Sequence, residues 1–405
     1  MTTESIGLPA VMVPVDGLAS PEARLNPFSF YSRMRILTPV RYDETRKTWD
    51  VFAYHDVHHV LTHHQLFSSE RPKTGPVLLG SIIGSNPPRH TKLRTIVSSA
   101  FTPKMVKGLA PRIESIVDSL LKHNLFKGQM EFVHDFAVPL PIIVIAELLG
   151  VPSSDHALFK RWSDVIAKGA ADNTQAAAEM LLHDKERAKT ELDDYFRVLL
   201  RDRQNRPQDD LISRLVQAEV DGERLSEEEV LEFCILLLAA GNETTTNLLT
   251  NAVRRYVEDY GLQDQLRHNP NLIQSSTEEV LRYYSPIQAT NRYAREDVLL
   301  GEQKISAGEQ LVAWIGSANR DDSVFDKAED FVPDRQPNRH LAFGHGIHFC
   351  LGAPLARLEA EIALPALLRS TEEMRMIAGH GLKPILSSFV YGVSELSIQF
   401  IPRES

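Results

Sequence analysis

The chain has 405 residues, 43% hydrophobic and 24% charged, the proportions of a globular protein with room for a sizeable core and not of a disordered one. Its 44 basic and 54 acidic residues leave a net charge of −10, which argues against a protein that coats nucleic acid. The two cysteines, Cys234 and Cys350, build neither a disulfide framework nor a multi-cysteine zinc site, and the longest apolar runs, Cys234 to Gly241 and Pro139 to Ala146, fall short of the roughly 20 residues of a membrane span, so a cytoplasmic protein is expected.

Residues 1–20 lack a basic region and are interrupted by Pro9, Pro14 and Gly17; they read as a flexible tail ahead of one domain over 21–405. Arg41–Asp43 and Trp49–Ala53 are short β-prone runs joined by Glu44–Lys47, the pattern of a hairpin. The histidines that follow (His55, His58, His59, His63, His64) are completed by no carboxylate or cysteine at a recognisable spacing and read as surface residues. From about residue 90 to 285 apolar positions recur at helical spacing, in Ile113–Leu121, Leu140–Leu149, Leu181–Leu200 and Val230–Tyr260. Ser226 and Glu229 form a capping-box pattern at the head of the last of these, which predicts a rod of roughly 50 Å. Short strands return at Val298–Leu300, Gln310–Ile315 and Phe389–Phe400. With no internal repeat or linker, the fold class is mainly α with a minor β portion in a single large domain.

Two stretches carry chemistry. In the middle of the long helix stands Ala239-Ala240-Gly241-Asn242-Glu243-Thr244-Thr245-Thr246, a poor choice for helix stability, since Gly costs about 1 kcal/mol relative to Ala and Thr is a weak helix former. Small residues followed by an acid and hydroxyls suit a surface that something flat approaches closely. The second stretch is Phe343-Gly344-His345-Gly346-Ile347-His348-Phe349-Cys350-Leu351-Gly352, followed by Pro354 and a helical pattern that kinks or ends near Leu364, ahead of Pro365. Its glycines permit a tight turn, and Cys350 falls at a helix N-terminus, where a thiolate is favoured. A thiolate there can bind a soft metal or attack an electrophile. Cys234, among Phe233, Ile235 and Leu236, reads as packing.

The run Phe-Gly-x-Gly-x-His-x-Cys-x-Gly resembles the haem-binding signature of the cytochrome P450 family. Glu279 and Arg282 resemble its Glu-x-x-Arg helix motif, with Arg335 in the place of the third member of that structural triad, and Ala240-Gly241-Asn242-Glu243-Thr244-Thr245 resembles its oxygen-activation motif. The likeness spans nearly the whole chain, is strongest to soluble Bacillus-type hydroxylases of hydrophobic compounds, and implies the P450 fold around a buried haem b, iron protoporphyrin IX. It makes Cys350 the iron ligand, with Phe343, Gly344, Gly346 and Gly352 shaping its loop and Ala240 and Gly241 close to the haem. It further implies that His90, Arg94, Arg292 and His348 hold the propionates, that Glu243 and Thr244 deliver protons, and that His345 fills a variable position.

The same likeness implies a substrate pocket lined by Leu236, Ala239, Ala240, Thr244, Ile287, Ala289, Thr290 and Val390, with Val77, Leu78, Leu79, Ile82 and Ile83 above. Such a lining suits a fatty acid, terpenoid or steroid-like substrate, hydroxylated with dioxygen and two electrons. Without a flavin domain or iron–sulfur cysteines, the electrons must come from a separate ferredoxin or flavodoxin with its NAD(P)H reductase. Arg89, Lys92, Lys104, Lys107 and Arg357 are the expected docking charges. A peroxide-driven enzyme and a haem sensor without turnover are the alternatives, disfavoured by the intact Glu243-Thr244 pair.

Overall fold

In the computed structural model, residues 15–70, 82–167 and 175–403 are described. The expected hairpin forms: β1 (Val40–Asp43) pairs antiparallel with β2 (Thr48–Val51). They open a five-stranded sheet with β3 (Phe67–Ser68), β5 (Thr290–Ala294) and β6 (Gln310–Ala313), in the order β1-β2-β6-β5-β3. The β2–β6 pairing is parallel and joins segments some 260 residues apart, which no local pattern announces. A three-stranded antiparallel sheet sets β8 (Ser397–Pro402) between β7 (Thr371–Met376) and β4 (Gln129–Glu131).

The helices that build the site are α1 (Tyr54–Thr62), α2 (Arg89–Ala100), α3 (Ala110–Leu125), α4 (Pro139–Leu148), α5 (His156–Ala167) and α6 (Gln175–Asn205). They are followed by α7 (Glu227–Glu258), α8 (Tyr260–His268), α9 (Leu272–Tyr283) and α10 (Ala353–Ser370). The capping box at Ser226 and Glu229 is present in full and starts α7, whose 32 residues run through the largest core cluster. Its apolar and small residues pack on α4, α5, α6, α9 and α10 at once, and that burial offsets the weak helix formers in its centre.

Two expectations are corrected. The packed domain begins before residue 21: Val15 and Leu18 are buried against Phe30, Phe52 and Trp314, with Gly17 at φ +88° pressed onto the Phe30 ring. Residues 1–14 lie outside the described residues. The helix after Cys350 does not end near Leu364; α10 continues through Pro365 to Ser370, because Leu364, Leu367 and Leu368 are buried and hold the last turns in the core. Gln310–Ile315 also divides, Ala313 ending the strand and Ile315 opening a short helix.

Two apolar bodies result. One gathers the helices α3 to α10; the other gathers α1, the five-stranded sheet and Leu341. The segment from Leu341 to Leu355 passes from the second body to the first, so the cysteine loop lies where the two meet.

Candidate active site

Cys350 sits two residues before the N-cap of α10. Its backbone N–H donates to the Phe343 carbonyl at 2.9 Å, closing the loop on itself, and the loop turns through Gly344 and Gly346, both at φ +70°. Gly346 is required twice over, since a Cβ there would also stand 2.9 Å from the Leu61 carbonyl of α1. The sulfur lies against the first turn of α10. Surrounding protein pushes its thiol up, while N–H groups of Gly352 and Ala353, then Arg94 and Arg357, pull it down. The net effect is upward, burial outweighing the donors, while the Gly352 and Ala353 N–H groups are placed to hydrogen-bond an anionic sulfur. Phe343 and Phe349 flank it with ring centroids 6.3 Å apart. Cys234 is buried and its thiol pushed up by burial, as packing requires.

Around this loop is a group of basic side chains, Arg292, Arg94, His90 and His348, that pairs with no acid among the described residues. Arg292, on β5, is buried; its guanidinium donates to the Asn291 carbonyl at 2.8 Å, and burial lowers it to about 10. Arg94 donates to the Phe349 carbonyl at 2.8 Å. The His90 and His348 rings stand 4.4 Å apart, and the Nε2 atom of each is buried without a hydrogen-bond partner among the described residues. Burial, then the charge of Arg292, pushes His348 down to about 3. Buried cations and orphaned donors of this kind are costly unless an anion completes them. This donor set therefore fits a ligand that carries carboxylates beside Cys350, as a haem does.

The small-residue stretch lies at the centre of α7. Ala240 is exposed, although Leu238 and Asn242 on either side of it are buried, so a strip of small residues opens from an otherwise enclosed helix. Gly241 packs closely on α4: a Cβ there would meet Ile145 Cδ1, the far end of that side chain, at 2.8 Å and require it to shift. The Thr244 hydroxyl donates to the Ala240 carbonyl at 2.7 Å and turns its lone pairs outward. Glu243 is half-buried, and burial holds its carboxyl above the usual range while Lys185 of α6 pulls it back. Asn242 is tied by its side-chain N–H to Ser163 of α5. The sequence does not single out Lys185, and it gives Asn242, within the α7 motif, no role; both gain meaning from helix packing.

The structural triad is complete. Glu279 accepts from Arg282 at 2.8 Å through both carboxylate oxygens and from Arg335 at 3.1 Å. Arg282 also reaches the carbonyls of Asn319, Ala328 and Asp330, which pins the segment leading to the cysteine loop.

Of the expected pocket wall, Ile287 and Val390 meet in an antiparallel bridge and are half-buried, as are Ala239 and Thr290. Ile82 and Leu236 pack together with Leu93, and Ile83 is exposed. Ala289 is buried with Trp314 and Phe389. Val77, Leu78 and Leu79 lie outside the described residues. Among the described residues no cluster of three or more His, Cys, Asp and Glu could hold a metal ion; the α1 histidines instead stack, His59 on His63 at 3.9 Å and His58 on His345 at 4.5 Å. No helix among them is long and apolar enough to cross a membrane.

A family model described as Cytochrome P450 matches residues 40–373. The chain is 48% identical over 391 residues to Cytochrome P450 109 of Bacillus spizizenii, covering 96% of each protein. Among solved structures it resembles substrate-free CYP109E1 from Bacillus megaterium, with a TM-score of 0.91 at 45% identity over 94% of this chain and 100% of that one. It also resembles CYP109E1 in complex with corticosterone, with a TM-score of 0.88 at 44% identity over the same shares of the two chains.

Proposed function

This chain belongs to the cytochrome P450 family and is a haem b monooxygenase; we propose that it hydroxylates a hydrophobic, steroid-like molecule with two electrons delivered by a separate ferredoxin or flavodoxin and its NAD(P)H reductase. The observation that carries the site assignment is the unbalanced basic group, Arg292, Arg94, His90 and His348, gathered around a cysteine whose sulfur is held by backbone donors. Cys350 is the proximal ligand in this reading. Arg94 and Arg292 would hold the propionates, and the unpartnered Nε2 atoms of His90 and His348 would be available to hydrogen-bond them.

When bound, haem with an axial thiolate supplies the activation of dioxygen. The chain's own residues do the rest. Gly352 and Ala353 temper the basicity of the sulfur, and Phe343 and Phe349 keep water from it. Ala240 and Gly241 let a flat group and a small molecule approach α7. Glu243, whose carboxyl burial raises above its ordinary value, and Thr244, on the open side of the helix, are the acid and hydroxyl placed to relay protons in this reading. Ile287, Val390 and Ala239 supply apolar contact for the substrate, and the corticosterone complex of the Bacillus megaterium relative supports the steroid-sized class.

The test is turnover of a steroid panel by the purified holoprotein. A ferredoxin–reductase pair with NADPH is expected to support hydroxylation, and Thr244→Ala is expected to keep substrate binding while product per NADPH falls several-fold. Equal product yield in Thr244→Ala removes the threonine's role. Turnover with peroxide alone, and none with the electron-transfer pair, overturns the electron requirement.

A further inference from the structure

Glu359 lies in α10, two turns inside the helix whose first N–H groups face the Cys350 sulfur. It is 1% exposed, and its Oε2 atom has no hydrogen-bond partner among the described residues. A carboxyl in such a place is expensive to ionise, and burial lifts it to about 8. Nothing in the structural triad, the propionate group or the Glu243-Thr244 pair uses it.

The elements packed on α10 leave it alone. Glu278 of α9 is committed to Arg357 and His340, and Glu279 to Arg282 and Arg335. Arg254 of α7 pairs with Glu258, Arg267 of α8 donates to the Leu368 and Thr371 carbonyls, and Arg403 beside β7 pairs with Glu372. Lys104 and Lys107, on the helix Pro103–Gly108, are exposed, as is Arg112 of α3, which pairs with Glu147. Burial is the cause of the raised value.

We propose that Glu359 is a positioning residue for electron entry: when the haem accepts one electron, Glu359 accepts one proton, and the carboxyl thereby sets the pH dependence of the reduction potential. The proposal rests on the haem-thiolate reading. The step balances simply. Ferric iron gains one electron from a one-electron donor, the Glu359 carboxylate gains one proton from solvent, one O–H bond forms, and the net charge of the interior is unchanged. Six residues of helix rise, about 9 Å, separate Glu359 from Ala353. Over a distance on the order of 10 Å in protein, one added negative charge changes a carboxyl's proton affinity by about tenfold. By linkage the same factor appears in the potential.

The experiment is equilibrium potentiometry of the substrate-free holoprotein from well below to well above pH 8. The wild-type potential is expected to be flat at the acid end, to fall as pH rises through 8 by the equivalent of about a tenfold affinity change, and to level off. Glu359→Gln is expected to lose that fall, and Glu359→Asp to keep one. Parallel wild-type and Glu359→Gln profiles overturn the proposal. Should Glu359→Gln fail to load haem, the reduced-minus-oxidised infrared difference spectrum of the wild type near pH 8 decides: a protonated carboxylic C=O band gained on reduction supports the coupling, and its absence overturns it. The reduced carbon monoxide adduct is recorded alongside. Loss of its long-wavelength Soret band in folded wild type sinks the thiolate reading itself, a separate outcome from a flat potential.

Discussion

At the residue scale the same amino acid takes opposite roles by placement. Cys234 is enclosed by apolar neighbours, which raise the cost of its thiolate, whereas Cys350 meets N–H groups and two arginines. Glycines divide in the same way. Gly344 and Gly346 share φ +70°, but a Cβ at Gly344 meets nothing nearer than 3.7 Å, while one at Gly346 strikes the α1 backbone at 2.9 Å. Gly344→Ala carries only the backbone strain of positive φ, on the order of 1 kcal/mol. Gly346→Ala must also displace α1 from the cysteine loop. Thermal unfolding of the two holoproteins is expected to place Gly346→Ala clearly lower, with faster haem loss; equal melting temperatures contradict the packing argument.

At the element scale, α9 and α10 are joined by charge as well as by apolar contact. Burial alone would raise Glu278, but hydrogen bonds from Arg357 and His340 outweigh it and hold the carboxyl near 2, against an ordinary value of 4.5. Between those values the unfolded chain binds more protons than the folded one. The stabilisation is therefore complete above 4.5 and is lost as pH falls toward 2. Because Glu278 is partly exposed, its worth is about 2 kcal/mol at neutral pH. Glu278→Gln is expected to unfold at a lower temperature than wild type at neutral pH and to converge with it on acidification; a constant gap across the acid range counts against the linkage. Glu279 next to it is fully enclosed between two guanidinium groups, so both acidic neighbours on α9 serve to anchor the segment that leads into the cysteine loop.

At the scale of the whole molecule, an acidic protein must still receive electrons from a partner that is acidic in the usual ferredoxin case. Of the five basic residues expected to dock it, Arg357 is bound in a bidentate pair to Glu278, Lys92 is paired with Glu223, and Arg89 lies 3.8 Å from Glu229. Lys104 and Lys107 are exposed and enter no ion pair among the described residues. Charge reversal at Lys104 and Lys107 is therefore expected to slow partner-supported turnover several-fold at low salt, with the difference shrinking as salt rises. Reversal at Arg357 also breaks the α9–α10 junction and so reports on stability. Unchanged rates in the Lys104 and Lys107 variants assign the docking surface elsewhere.

Much of the site was legible because its parts are local. The cysteine loop, the Glu279–Arg282 spacing and the small-residue strip of α7 each lie within a dozen residues, where turn geometry and helical period dictate which atoms meet. The sequence by itself therefore laid out the cysteine loop, the Glu279–Arg282 pair and the long helix, while the roles of Cys350 as ligand and of Glu243 and Thr244 in proton delivery are what the family resemblance implies. It left open whether α10 kinks or ends at Pro365, past which contacts from elsewhere hold its last turns. Only the tertiary structure decided that Glu359 is buried with its Oε2 atom unpartnered among the described residues, that Lys185 lies near Glu243, and that Arg357 is spent on Glu278. The physical reason is common to all three: a charge is governed by the solvent and partners within a few ångströms of it, and in this fold those neighbours come from distant parts of the chain.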